Sequence, residues 1–410
     1  IKEGLRAVTG VENMRTRFAV EDEVIQTAVL KNYGISIQEP VFLPNGDISY
    51  VYRIVGTDGT KYFMKLFDKN TRSGKKGIRY LKFSLPVTWD MYDRGLYRNI
   101  SYPISDDRGD FVVDIGPAKI VLFSFREGKT LEEASPFCRE VLEKAANGIA
   151  CIHDLTGQMH FRAMRIEDFD LSFLKGLETN MECLEQMQKE RPAYVMQDVI
   201  ADLGNLSEEM GEEMGPGKEM GPGREDGKGS KASRETDSKT YSEKQVRQFT
   251  DPTIQALCDE LLPKKENTLS FVDRLYRYRE QIDFDPYDMV LTYGDLRGGN
   301  LLLDSQGNLC FIDWGSARIA PREADLQYFL TEDFDFFLKK YKEACAGPFR
   351  PDPNLLGYYA LRTRLSGLAD RVSGMLHGSP DREQNLKDLE YITHLDTDQW
   401  EELDQRIQQI

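Results

Sequence analysis

The stretch YGDLRGGNLLLDSQGNLCFIDWG, Tyr293–Gly315, carries the densest chemistry in this 410-residue chain. Asp295 is followed by Asn300, and Asp313 closes a short apolar run. Leu301–Leu303 and Leu309–Ile312 read as two short strands turning at Ser305-Gln306-Gly307-Asn308. A hairpin of that length puts Asn300 at its entry and Asp313 at its exit, so the two meet in one place. Their side-chain oxygens are the hard donors that magnesium takes. Asp295 is placed to accept, or to orient, the proton of an attacking hydroxyl. Taken singly, each acid reads as a loop cap and Gly298-Gly299 as a turn. Their order and spacing together point to a metal site beside a base. Phosphoryl transfer needs that set, plus a cation for the phosphates.

Outward from this loop, the N-terminal part alternates between helix and strand. Apolar residues at helical spacing predict a helix over Glu21–Asn32. Pro40–Leu43, Ile48–Val55 and Lys61–Phe67 read as strands, with turns at Asn45-Gly46-Asp47 and Thr57-Asp58-Gly59-Thr60. Large residues recurring every three or four positions predict a helix over Ile78–Leu96, which Pro86 should kink or interrupt. Phe111–Ile115 and Lys119–Phe125 are further strands. After Gly128 the pattern is mostly helical, over Arg139–His153, Asp168–Gln188, Pro252–Leu262, Phe271–Ile282 and long stretches past Arg322.

Residues 205–244 stand apart. They are rich in Gly, Glu, Lys and Ser and contain the near-repeat EMGPGK and EMGPGR (Glu213–Arg224). Such a composition buries too little apolar surface to offset ordering, and predicts a disordered insertion whose deletion leaves the melting temperature nearly unchanged.

The run Gly294–Asn300 followed by Phe311–Gly315 resembles the aminoglycoside phosphotransferase and choline kinase superfamily, whose pattern is H-G-D-x-x-x-x-N and then I-D-W or I-D-F. Ile319–Leu326 (IAPREADL) is most similar to spectinomycin-type phosphotransferases. The resemblance implies an α+β, bilobed, protein-kinase-like fold. It implies a β-rich nucleotide-binding lobe over 1–125, and a larger, mostly helical catalytic and acceptor-binding lobe over 126–410 that holds the insertion. It implies ATP and Mg2+, with Asp295 as the catalytic base, Asn300 and Asp313 as metal ligands, and Lys65 on the nucleotide phosphates. Asn45 and Gly46 fall where the family's nucleotide-covering loop lies, though the turn is poor in glycine. Val121–Phe125, with Phe123 and Phe125, falls at the interlobe hinge whose backbone meets adenine. His153 matches a helix-terminal packing position.

Two departures stand out. Tyr293 takes the place of the loop histidine, where its ring can pack and make one hydrogen bond. There is also no glutamate between Glu39 and Glu127 to pair with the strand lysine, as kinases require. Asp90 is a candidate for that carboxylate, Asp93 is its rival, and an ordinary exposed helix acid is the plain alternative.

The expected activity is therefore transfer of the ATP γ-phosphate to a hydroxyl of a small molecule. A net charge of −16 suits a cationic, amino-bearing acceptor of the aminoglycoside or aminocyclitol kind, with Asp325 or Glu332 as acids to face it. Asp325 reads equally as a structural anchor. Two other readings stay open: an inactive pseudokinase scaffold of the spore-coat type, and a metabolic kinase for choline, homoserine or an amino sugar. The same charge argues against nucleic acid as a partner, and no stretch reaches the roughly 20 apolar residues of a membrane span. Six scattered cysteines fit neither zinc nor a disulfide framework, which favours a reducing, cytoplasmic setting.

Overall fold

The computed structural model describes residues 16–44, 48–132, 134, 136–160, 163–189, 251–283, 289–378 and 382–410. The expected turn at Asn45-Gly46-Asp47 and the insertion over 205–244 lie outside the described residues.

Helix α1, Asp22–Tyr33, ends at Gly34, whose left-handed φ of 67° lets its N–H cap the Leu30 carbonyl. Five strands follow: β1 Val41–Leu43, β2 Tyr50–Val55, β3 Lys61–Asp68, β4 Val112–Asp114 and β5 Ala118–Ser124. They form one antiparallel sheet in the order β1-β2-β3-β5-β4. Strand alternation sorts its side chains. Tyr52, Ile54, Met64, Leu66, Ile120 and Leu122 pack with Ile25 and Val29 of α1. Phe67 and Val121 face the other way, onto Leu81 and Leu85 of helix α2, Arg72–Asp93. Lys65 pairs with Val121 across the ladder and so shares that second face.

Helix α2 differs from its expected course in two ways. It starts six residues earlier, because the Thr71 hydroxyl caps it by accepting the Gly74 N–H at 3.1 Å. It also runs through Pro86 without ending. The missing Pro86 N–H costs a bond, but Leu81, Leu85, Thr88 and Met91 are buried along one side and hold the helix together.

The helical region is built on helix α3, Arg139–Asp154. Its Ala145, Ala146 and Ile149 are fully buried, and Gly148 is pressed against Phe311, where an added Cβ would sit 2.6 Å from the ring. Small residues on α3 therefore allow the Tyr293–Gly315 stretch to approach its axis. Helix Phe334–Ala344 covers the same core with Phe334, Phe337 and Tyr341.

The chain divides into two compact units. The first comprises residues 1–170, 273–364 and 398–410, and holds both the five-stranded sheet and the Tyr293–Gly315 stretch. The second comprises residues 171–272 and 365–397. Within it, Lys265 pairs with Glu185 at 2.9 Å, the Lys264 ammonium donates to the Ile392 carbonyl, and His377 meets Asn180 at 2.8 Å. No helix among the described residues is long and apolar enough to cross a membrane.

Candidate active site

The hairpin forms as its sequence predicts. With β6, Lys129–Thr130, and β7, Met289–Thr292, preceding them in the chain, strands β8, Leu301–Leu303, and β9, Leu309–Phe311, pair antiparallel, Leu301 opposite Phe311. Asp304 fixes the turn by accepting the N–H groups of Gln306 and Asn308 at 2.9 and 2.8 Å, while Gly307 supplies a φ of 78°. Leu301, Leu309 and Phe311 are buried in the α3 core. Each contributes about 2 kcal/mol of apolar burial to holding the hairpin in place.

The loop before the hairpin is tied down by its backbone. The Leu131 N–H donates to the carbonyls of Gly298 and Leu301, both at 3.0 Å. At Gly298 a Cβ would lie 2.4 Å from the Leu131 carbonyl oxygen, so only glycine fits without a shift.

Within this frame the expected residues converge. The Asn300 amide nitrogen donates to the Asp295 carbonyl at 2.9 Å, which leaves its oxygen as the donor for a cation. The Ile312 N–H returns to the Asn300 carbonyl at 3.0 Å, drawing the start and end of the hairpin together. Asp313 follows with a left-handed φ of 64° and ψ of 71°. It is one of two non-glycine residues with positive φ among the described residues, the other being Phe169. Backbone strain of this kind collects at functional sites. From there the Asp313 carboxylate reaches Lys65 of β3, with Nζ to Oδ1 at 2.7 Å. Burial pushes the Asp313 carboxyl up, but the Lys65 ammonium, the Gly315 N–H and the Arg297 guanidinium together hold it below its ordinary range.

Asn300 and Asp313 suit magnesium, which is held by one or two protein oxygens and completes its shell with water and phosphate. Among the described residues there is no cluster of three or more His, Cys, Asp or Glu side chains that would favour a closed metal cage instead.

Three expectations need correction. Asp90 does not serve Lys65: its carboxylate binds the Arg94 guanidinium and the His160 N–H, both at 3.1 Å. Among the described residues the acid paired with Lys65 is Asp313 itself. Phe123 does not offer its backbone to a base, because β3 covers one edge of its strand. Pro103 bridges to Phe123 on the other edge, and the flanking Ile104 and Ser124 N–H groups donate to Leu122 and Tyr102. Phe125, just past the strand, is the position left for that role. Glu332 does not face an acceptor either, since it is buried and its Oε2 accepts the Phe137 N–H at 2.7 Å.

The expected bracing by Tyr293 and the anchor reading of Asp325 hold; the network that joins them was not legible in the sequence. The Tyr293 N–H and the Gly294 N–H each donate to the buried Asp325 carboxylate at 2.7 Å. Asp325 Oδ2 also meets His153 Nε2 at 3.1 Å, and His153 Nδ1 meets the Tyr341 hydroxyl at 2.7 Å. Arg322 donates to that hydroxyl at 2.9 Å. Asp325 is thus an anchor, and His153 works by hydrogen bonding as well as packing. Tyr293 itself is fully buried, edge-on to Phe311 and Trp314, and its hydroxyl donates to the Ile312 carbonyl.

The comparisons with known proteins agree with this geometry. Residues 226–350, which include Asp295, Asn300 and Asp313, match the model of the phosphotransferase enzyme family, APH. The chain superposes on a spectinomycin phosphotransferase, APH(9)-Ia, solved with ADP and spectinomycin. The TM-score is 0.63 at 14% identity, covering 96% of this chain and all of that one. The fold is that of the kinase-like phosphotransferases. A second kinase-like phosphotransferase, the amicoumacin kinase hAmiN, solved with AMP-PNP, Ca2+ and its substrate, gives a TM-score of 0.52 at 15% identity over 97% of this chain and 99% of that one. No curated protein matches the chain by sequence. The resemblance read from the Tyr293–Gly315 stretch agrees with the family match over 226–350, and the α+β assignment holds, with a sheet in the N-terminal region and helices in the C-terminal region.

Proposed function

We propose that this chain is an ATP- and magnesium-dependent phosphotransferase that moves the γ-phosphoryl group to a hydroxyl of a small, amino-bearing molecule. The observation that carries the reading is convergence: Lys65 of the sheet meets Asp313 at the hairpin's exit at 2.7 Å, and at the hairpin's entry the Asn300 amide is bonded to the Asp295 backbone carbonyl at 2.9 Å. In the reaction the acceptor oxygen bonds to the γ-phosphorus as the bond to the β-phosphate oxygen breaks, and the hydroxyl proton passes to Asp295. Asn300 and Asp313 would hold magnesium, which would neutralise charge on the phosphates. Lys65, mostly buried and confined to one face of the sheet, supplies the phosphate-binding ammonium. Phe125 carries the hinge role. The amino-bearing acceptor follows from the acidic chain and from the resemblance to aminoglycoside kinases.

One observation favours the pseudokinase scaffold as a second reading. Lys65 has no helix glutamate and rests on the metal ligand Asp313, so nucleotide and metal must separate that pair before the site can work. Thermal shift with Mg-ATP on the wild type and on Asp313→Ala tests both readings. An ATP-consumption screen over amino sugars, aminocyclitols and amino alcohols then follows. Absence of metal-dependent ATP binding would defeat the enzyme reading; binding without turnover on any acceptor would favour the scaffold.

A further inference from the structure

A buried charged cluster in the first compact unit takes no part in the proposed reaction. Glu167 lies beside strand β10, Arg318–Pro321, because its N–H donates to the Ile319 carbonyl at 2.8 Å. Its carboxylate receives three donors. Oε1 accepts the Phe169 N–H at 3.0 Å, while Oε2 accepts Arg318 Nε at 2.9 Å and Arg362 Nη1 at 3.3 Å. Two guanidinium groups therefore share one carboxylate, and the cluster is left with an excess positive charge.

Two tyrosines of helix Pro353–His377 close over it. Tyr358 and Tyr359 stand edge-on with ring centroids 5.1 Å apart, and the Phe169 ring packs 5.4 and 6.2 Å from them. Arg362 Cζ lies 5.9 Å from the Tyr358 ring, and Arg318 Cζ 5.9 Å from that of Tyr359. Both tyrosines are at most 1% exposed. Even so, neither hydroxyl has a hydrogen-bond partner among the described residues, and neither does the Arg362 Nε–H. Buried polar groups are almost always paired, so three orphans around one charged cluster point to something that pairs them. All three are donors, and burial raises the pKa of both tyrosines, which keeps their protons in place. The charges of Glu167 and Arg362 act on both hydroxyls, so the orphans share one neighbourhood. Asp168 and Arg279, which also act on Tyr358, oppose each other. The excess positive charge disfavours a cation, and a neutral water would leave that charge uncompensated.

We propose that the Glu167–Arg318–Arg362 cluster is a binding site for a small monovalent anion of the halide type, held by the Tyr358 and Tyr359 hydroxyls and the Arg362 Nε–H. The anion accepts the three orphan donors and supplies the missing negative charge. It joins helix Pro353–His377 to β10 and to the segment at Glu167, and so acts on stability.

The site is independent of the phosphotransferase reading, and urea unfolding of the full chain tests it with chloride as the probe. Sodium chloride is exchanged at constant ionic strength for sodium gluconate, an organic anion too large for a buried cluster. The wild type should be more stable in chloride, with a saturating dependence that yields Kd. Tyr358→Phe and Tyr359→Phe keep the rings and should each weaken that Kd about ten-fold, the loss of one hydrogen bond to a charge. In gluconate, where the hydroxyls stay unpaired, each variant should be at least as stable as the wild type. A wild type equally stable in both salts would overturn the proposal. So would variants that lose the same stability in both salts, which is the signature of bound water. A chloride effect that both variants retain unchanged would place the ion elsewhere and overturn it as well.

Discussion

Tyr293 shows what a single residue does when it replaces the histidine usual in such loops. Its ring fills the space between Phe311 and Trp314, and its hydroxyl ties the loop to the Ile312 carbonyl, one residue before the proposed metal ligand Asp313. Tyr293→Phe keeps the ring and leaves that buried carbonyl short of a donor. It should cost about 1–2 kcal/mol in denaturant unfolding and lower kcat more than it raises the KM for ATP. Asp325→Ala is a harsher change, because it strips two backbone N–H groups and His153 of their shared acceptor. A loss of about 3 kcal/mol or more is expected, and a loss below about 1 kcal/mol would show that the anchor is dispensable. The candidate metal and base residues, Asp295, Asn300 and Asp313, could be grouped from the sequence because one short hairpin spaces them. Asp325 could be read as an anchor, but not what it anchors, since a carboxylate receiving two distant backbone N–H groups leaves no local pattern. The partner of Lys65 was sought on the nearest helix for the same reason. Proximity along the chain stood in for proximity in space, and the true partner, Asp313, sits on the hairpin.

The elements themselves were largely readable from periodicity and turn residues, and their errors have physical causes. Strand β5 has β3 on one side, and on the other β4 along its first half and residues 102–104 beside Phe123, with backbone bonds that no side-chain pattern announces. In α2, proline suggested a kink or an interruption; the helix is not interrupted, because its buried side outweighs the lost bond. That balance makes a prediction. Pro86→Ala restores the N–H facing the Lys82 carbonyl and removes the ring, at the cost of a more flexible unfolded chain. The first effect is worth up to about 3 kcal/mol and the second about 0.4–1 kcal/mol, so the variant should be more stable by about 1 kcal/mol or more. Urea unfolding measures it; a destabilised variant would mean that α2 needs its proline to position the face that packs beside Lys65. Gly298→Ala tests the loop in the opposite sense. The added Cβ must push against the Leu131 backbone, so stability and kcat should both fall, whereas Gly299→Ala, whose Cβ meets only the Glu132 carboxylate at 3.6 Å, should be mild.

At the scale of the whole molecule, the pH dependence of stability pits net charge against one buried histidine. The chain carries −16 at neutral pH, and acidification relieves that self-repulsion. Ordinary carboxylates titrate near pH 4, however, so this relief is small between pH 7.5 and 5.5. In that window His153 decides. Burial lowers its pKa from the ordinary 6.5, against the opposing pull of Asp325, so it stays neutral in the fold and takes up a proton when the chain unfolds. The unfolded state then binds more protons than the native state, and stability rises with pH. The contribution is fully present above about 6.5 and is lost progressively as pH falls below that value toward the lowered native one. Unfolding free energy should therefore decline from pH 7.5 to 5.5. In His153→Gln, whose side chain does not titrate, the starting stability should be lower because the bond to Asp325 is weakened, but the slope against pH should be shallower. Denaturant titrations at closely spaced pH values give both slopes. If they are parallel, His153 is not the group that carries the acid sensitivity of the fold, and the chain from Tyr341 through His153 to the Tyr293–Gly294 loop braces without titrating.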